Sequence, residues 1–420
     1  MSGIGLEPTR SEQTDPQRAN PSAVPVQDLI PLSVPRIQGN EMRYIQECLD
    51  TNWVSSAGSF VDRFEGMLAE YVGTKHAVAT VNGTAALHIA LLVADVQPDD
   101  EVLVSTLTFI APANAVRYVG AWPVFIDAEP DHWQMDPEKV VEFLEQKCHW
   151  SNGELRNKTT GRRVTAIIPV HILGHPVDLD PILAAAHRYG LTVIEDATES
   201  LGAKYKGQMV GHLGDIACFS FNGNKLITTG SGGMVVTDDE KMAQRARHLT
   251  TQAKVDPIEY VHDEIGYNYR LSNIHAAMGC AQMESISDYV DTKRGIATVY
   301  CDELESLPGL RPMWQAPWAE SAFWLFTVQV DEAKYGMDSR DLLNQLNEAG
   351  IQSRPLWQPI HISPAHADLN NPDCPVADRL YQECLSLPCS VGLGDSQSRV
   401  IDTLKRLSSP SPLSSRKLRA

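Results

Sequence analysis

Lys225 sits in the stretch ACFSFNGNKLITTGSGGM, between an apolar, strand-like run and a glycine-rich turn that leads into a second apolar run. Such a setting can strip water from a primary amine and lower its proton affinity toward the nucleophilic range. The competing reading is an ordinary solvated cation in a turn. Upstream, the run LTVIEDA ends an apolar strand on Glu195 and Asp196. Open α/β sheets place ligands at the carboxyl ends of their strands. Asp196, if buried opposite a pyridine nitrogen, would keep that nitrogen protonated, and a helix cap or buried ion pair is the alternative. A third segment, ATVNGTAAL, passes from a strand through Gly83 and Thr84 into a helix former. Backbone N–H groups of Gly83, Thr84 and Ala85, with the Thr84 hydroxyl, can hold a phosphate there, although a Gly-Thr step is also a common helix cap.

These residues need elements to hold them. From about Ile30 to Val236, short β-branched runs (HAVATV, EVLVS, WPVFID, VTAIIPV, LTVIEDA, IACFSF, GGMVVT) alternate with helix-like segments such as GTAALHIALLVA and DLDPILAAAHRYG. That alternation predicts an α/β fold on a largely parallel sheet. Residues 240–306 read as mostly helical, interrupted by GYNYRLSN. After the turn SLPGLRP, the strand-like FWLFTVQV and the amphipathic SRDLLNQLNEAGI predict a smaller α+β domain. The expected division is a mobile tail at 1–27, a large domain at 28–290, a small domain at 291–407 and a mobile tail at 408–420. Glycines 230, 232 and 233 do not form GxGxxG and argue for close backbone packing.

The 420 residues carry a formal net charge of −18, so adhesion to nucleic acid or anionic lipid is not expected. The eight cysteines form no CxxC pair, which indicates neither a zinc site nor a disulfide framework. No apolar leader and no run of about 18 apolar residues occurs, so the expectation is a cytoplasmic chain without a membrane span. His171 and His175 have i, i+4 spacing, but Gly174 and Pro176 oppose a helix there, and no metal is expected. A loop lining a ligand pocket is the expected use of that segment. Trp53, Trp133, Trp314, Trp324 and Trp357 include candidate platforms for a nucleobase, core or interface packing being the alternative. Arg36 and Arg270 are candidate anion partners.

Taken together, the phosphate-type turn, Phe109, Asp196, Ser220 and Lys225 stand in the order and spacing of fold-type I enzymes that use pyridoxal 5'-phosphate (PLP). The chain closely resembles the DegT/StrS sugar-nucleotide aminotransferases over roughly 30–405, through TNWVSSAGSFVDRFE, STLTFIAPANAV, IPVHILGHPVDLD, VIEDATESLGA and YNYRLSNIHAAMGCAQ. Within that family it looks most like the aminotransferases of legionaminic acid and bacillosamine type pathways. The resemblance implies a fold-type I transferase with a mostly parallel seven-stranded sheet. It implies that Lys225 bonds the cofactor and shuttles a proton, that Asp196 pairs with the ring nitrogen and that Phe109 lies against the ring. Gly83, Thr84 and Ser220 would bind the phosphate, joined by Asn268 from a second subunit, so a homodimer with composite sites is implied. Glu199 stands where many relatives have Gln, near the cofactor's phenolic oxygen. His171 and Arg270 are the implied substrate contacts.

The implied activity is transfer of an amino group from an amino acid, glutamate, to C4 of a nucleotide-linked 4-keto-6-deoxy-N-acetylhexosamine. The family's dehydratase branch carries histidine at the lysine position, so Lys225 favours amination over a dehydratase or epimerase reaction. A noncatalytic PLP-binding regulator is the remaining alternative, and the acidic chain lacks a basic helix-turn-helix pattern. Borohydride reduction and peptide mapping of the cofactor-saturated protein should leave a pyridoxyl group on Lys225. A tag elsewhere, or none, removes the assignment.

Overall fold

Seven short apolar runs pair into one sheet: β1 (His76–Thr80), β2 (Glu101–Ser105), β3 (Trp122–Ile126), β4 (Val164–Ile168), β5 (Thr192–Asp196), β6 (Ile216–Ser220) and β7 (Gly233–Thr237). The computed structural model describes residues 28–256, 258–369 and 372–408. The expected tail at 1–27 lies outside them, as does that at 408–420 apart from Ser408, which closes the last helix, Ser396–Ser408. The strand order is β1-β7-β6-β5-β4-β2-β3, with β7 antiparallel to its two neighbours and the other pairings parallel.

Both faces of the sheet are covered, which is why the strands read as continuous apolar runs rather than as alternating ones. Val78, Ile194, Cys218 and Val235 enter the core on one face. Ala77, Ala79, Phe219 and Met234 enter a second core on the other. Successive side chains of a strand point to opposite faces, so neighbours in sequence serve different cores.

The first core continues into a four-stranded antiparallel sheet made of β8 (Leu310–Pro312), β9 (Phe326–Val330), β10 (Arg354–Pro355) and β11 (Cys384–Leu387), ordered β8-β9-β11-β10. The expected division at 290 falls inside the continuous helix Ile286–Leu304, which carries the chain toward the small sheet. Within 240–306 the interruption is wider than expected. Besides the GYNYRLSN segment it contains a two-stranded hairpin, Lys254–Asp256 with Val261–His262. Val255, Tyr260 and Val261 are exposed in this chain, so no buried face imprinted an alternating pattern on the sequence.

The link from β6 to β7 has no crossover helix, so the chain returns antiparallel and leaves residues 221–232 as a loop at the carboxyl end of β6. Lys225 is on that loop. Gly233 pairs with Thr80 on one side and Ser220 on the other. A Cβ there would lie 2.4 Å from the Asn82 carbonyl oxygen and 2.7 Å from Thr80 Oγ1, so only glycine lets β7 approach the start of the next helix. Gly233→Ala should therefore cost about 1–3 kcal/mol through overpacking. A thermal melt should show a lower midpoint, and an unchanged midpoint would mean that the helix start yields freely.

Candidate active site

The helix Gly83–Val93 begins at the carboxyl end of β1. Its cap, Asn82, accepts a hydrogen bond from the Ala85 N–H through its side chain at 2.8 Å and one from the Ala86 N–H through its carbonyl. The Ala85 amide, expected to face a ligand, is therefore already used. Gly83 and Thr84 keep N–H groups that the helix itself does not consume. A Cβ on Gly83 would lie 2.8 Å from Ser220 Cβ, so the absent side chain lets the Ser220 hydroxyl close on the helix start. The result is a shallow cradle of donors suited to a phosphate.

Strand alternation sends Glu195 and Asp196 in opposite directions. Asp196 is 2 % exposed and lines a cavity of about 320 Å³ at the carboxyl end of the sheet. Burial pushes its carboxyl up, opposed by the Thr198 N–H at 3.1 Å and by the charge of Lys225. A cationic ring nitrogen would supply the positive partner that this buried acid needs. Glu195 goes the other way and accepts N–H groups of Gly211, Leu213 and Gly214 at 2.6–2.8 Å. Burial pushes Glu195 up, but these bonds and that from His171 outweigh it and leave the carboxyl below its ordinary range.

Lys225 lines the same cavity, as do Gly83, Thr84, Phe109, Glu199 and Ser220. Its Nζ lies 3.7 Å from Glu199 Oε1 and 3.9 Å from the centre of the Trp324 ring. Burial lowers its proton affinity, while Glu199 and Asp196 work in the opposite sense. Burial raises Glu199 to about 7 despite the neighbouring Lys225 and the Leu173 N–H, which donates to Oε2 at 2.9 Å. Glu199 is thus turned partly toward the backbone and partly toward the amine. The arrangement can desolvate an amine, carry its proton and hold a phosphorylated, cationic ring beside it.

Other expectations need correction. His171 does not line the cavity: it is fully buried, its Nδ1 accepts the Val177 N–H at 3.0 Å and its Nε2 lies 3.0 Å from Glu195 Oε2. The proton is therefore on Nε2, and the ring braces the strand from behind. Arg270 is not available to a substrate in this chain, because its guanidinium pairs with Glu65 at 3.1 Å and Asp62 at 3.3 Å. Arg36 also lies elsewhere, with Nε donating to Gln38. His175 has both ring nitrogens committed, Nδ1 donating to the Pro176 carbonyl and Nε2 accepting the Ala316 N–H, and burial lowers it to about 4. Neither histidine can offer a ring nitrogen to a metal ion in this arrangement.

Asn268 is exposed and does not line this chain's cavity. Of the five tryptophans, Trp324 and Trp357 line it, Trp133 is wholly buried, and Trp53 and Trp314 are exposed away from it. Sequence reasoning missed Asn82, Thr198, Asn222 and Asn224. Asn82 alone carried a signal, as the residue before a helix start. Hollows of about 1000, 610 and 330 Å³ contain none of these groups, so the chemistry singles out the cavity of about 320 Å³.

Residues 35–405 match the DegT/DnrJ/EryC1/StrS aminotransferase family. GDP-perosamine synthase of Caulobacter vibrioides is 39 % identical over 381 residues, covering 90 % of this chain and 98 % of that protein. The putative pyridoxal phosphate-dependent aminotransferase EpsN of Bacillus subtilis is 40 % identical over 385 residues, covering 90 % and 95 %. The structure of S. venezuelae DesV superposes with a TM-score of 0.79 at 31 % identity, covering 88 % of this chain and 94 % of that one. Cradle, buried acid and desolvated amine are thus assembled as a PLP site requires, and the chain belongs to the DegT/DnrJ/EryC1/StrS family as a PLP-dependent sugar aminotransferase.

Proposed function

We propose that this enzyme moves an amino group from glutamate to C4 of a nucleotide-linked 4-keto-6-deoxy-N-acetylhexosamine, for bacterial surface glycan or nonulosonic acid biosynthesis. The observation that carries the reading is the Lys225 amine, on a side chain only 14 % exposed, beside Glu199 and in one cavity with Asp196 and the Gly83 cradle. Two further relatives, from Escherichia coli O157:H7 and Vibrio cholerae, also bear the name GDP-perosamine synthase, which adds weight to a GDP-linked acceptor.

When bound, PLP supplies an electron sink and carries the amino group between two half-reactions. Gly83, Thr84 and Ser220 would hold its phosphate, and Asp196 would keep its ring nitrogen protonated. Phe109, at the exposed mouth of the cavity, would cover the ring face. Lys225 Nζ takes and returns the proton at the reacting carbon. The surrounding walls exclude water, which weakens the amine's hold on its proton. In this reading Asn268 completes the phosphate site of a second subunit, and its exposed position leaves it free to do so. No helix among the described residues is long and apolar enough to cross a membrane, which accords with work in the cytoplasm on nucleotide sugars.

Mass analysis of products from UDP- and GDP-linked 4-keto-6-deoxy sugars, with and without an N-acetyl group, tests the proposal. An amine product with stoichiometric 2-oxoglutarate supports it, and loss of oxygen or epimerisation without 2-oxoglutarate supports the dehydratase or epimerase alternative. PLP saturation without a half-reaction from any amino acid would leave a regulator.

Two variants probe the residues. Lys225→Ala should lower turnover by at least about 100-fold, the scale of a lost general base, and normal turnover would sink the lysine's role. Glu199→Gln removes a negative charge that favours the protonated amine. Lys225 should then lose its proton more readily above pH about 7, where Glu199 is charged, shifting the pH profile of the amino-acid half-reaction downward there, while below it the two proteins should match. An upward move would mean that Glu199 does not act on Lys225 through its charge.

A further inference from the structure

Lys293, on the helix Ile286–Leu304, is 2 % exposed. Its Nζ donates to the Trp324 carbonyl at 2.7 Å and to the Cys389 carbonyl, with the Cys389 sulfur at 3.0 Å. These partners carry no full negative charge, so the interactions that offset the desolvation of a buried ammonium fall on two backbone carbonyls. Both carbonyls are thereby fixed. One belongs to Trp324, whose indole Nε1–H donates at 2.7 Å to the carbonyl of Asn224, the residue before Lys225. The Trp324 ring stacks at 7° on Trp357 and presents a face to Lys225 Nζ at 3.9 Å. Trp324 is held at its backbone by one lysine and at its ring by the loop that carries the other.

We propose that Trp324, locked in place by the buried Lys293, is a positioning residue that holds Lys225 Nζ over the cavity floor through the face of its indole. The inference rests on the reading of Lys225 as the amine that bonds the cofactor. A cation over an indole face is favoured over a neutral amine there, so the ring also steadies the protonated form. Glu199 at 3.7 Å and Asp196 in the same cavity act in the same direction, and burial acts against all three. Lys293 stands on the carbonyl side of Trp324 and sets the ring's position. Trp324 lies two residues before the start of β9, so this contact joins the approach to the small sheet to the amine on the large sheet's loop.

Competitive acetylation of the cofactor-free full chain, quantified on the Lys225 peptide across pH, tests the proposal without any sugar or amino donor. An error in the assigned acceptor would therefore leave the readout intact. Trp324→Leu should make Lys225 reactive at a pH lower by about 0.4–1.5 units, the span of a cation–π contact. Trp324→Phe, which keeps a ring, should restore most of the wild-type curve. Lys293→Met should move the curve the same way, and the double variant Lys293→Met, Trp324→Leu should shift no further than Trp324→Leu alone, because Lys293 acts through the ring. A wild-type labelling curve in Trp324→Leu overturns the proposal, as does full additivity of the two substitutions. If Lys293→Met fails to fold, the contrast between Trp324→Leu and Trp324→Phe decides.

Discussion

An ammonium taken out of water loses several kcal/mol of hydration, and that loss sets the terms for everything around Lys225. Glu199 at 3.7 Å returns roughly 4 kcal/mol in a medium of effective dielectric about 20. The two effects are of the same order and opposite sign. An amine in such a balance can change its protonation when a neighbour changes charge, which is what a proton shuttle needs. A fully solvated lysine would stay charged, and one buried among apolar groups alone would stay neutral.

The balance depends on geometry that spans the whole large sheet. Glu195 and Asp196 are adjacent in sequence, yet alternation sends one behind the sheet to hold the 211–214 turn and the other into the cavity. His171, wholly buried, fixes Glu195 and so steadies the strand that aims Asp196. On the next strand, Ser220 ends beside Gly83, where a side chain would collide with it. Three strand ends, from β1, β5 and β6, thus converge on one small volume, and the antiparallel return through Gly233 holds the first and last of them together.

The acidic chain makes this local arrangement more telling. With a net charge of −18, any phosphate must be attracted by fixed donors rather than by the protein's overall field. Two amides and a hydroxyl at a helix start are donors of that kind. Arg270, a residue type that phosphates favour, is instead neutralised by Glu65 and Asp62. The hollows of about 1000, 610 and 330 Å³ elsewhere on the surface are not lined by these converging donors.

Strand and helix alternation, the Gly-Thr helix start, the carboxylates closing β5 and the lysine after β6 were all legible in the chain, because each is written in neighbouring residues whose local physics suffices. The motifs around them also sufficed to suggest the family. Residues far apart in sequence were decided only by folding. Nothing local distinguishes His171, which braces a strand, from a pocket histidine, or Arg270 in its ion pairs from an anion-binding arginine. Trp324 and Lys293 illustrate the same point, since their contacts to Lys225 and to one another span 99 and 31 residues. Such contacts depend on which faces pack together, and a hydrophobic run specifies that it will be buried without specifying what it will be buried against.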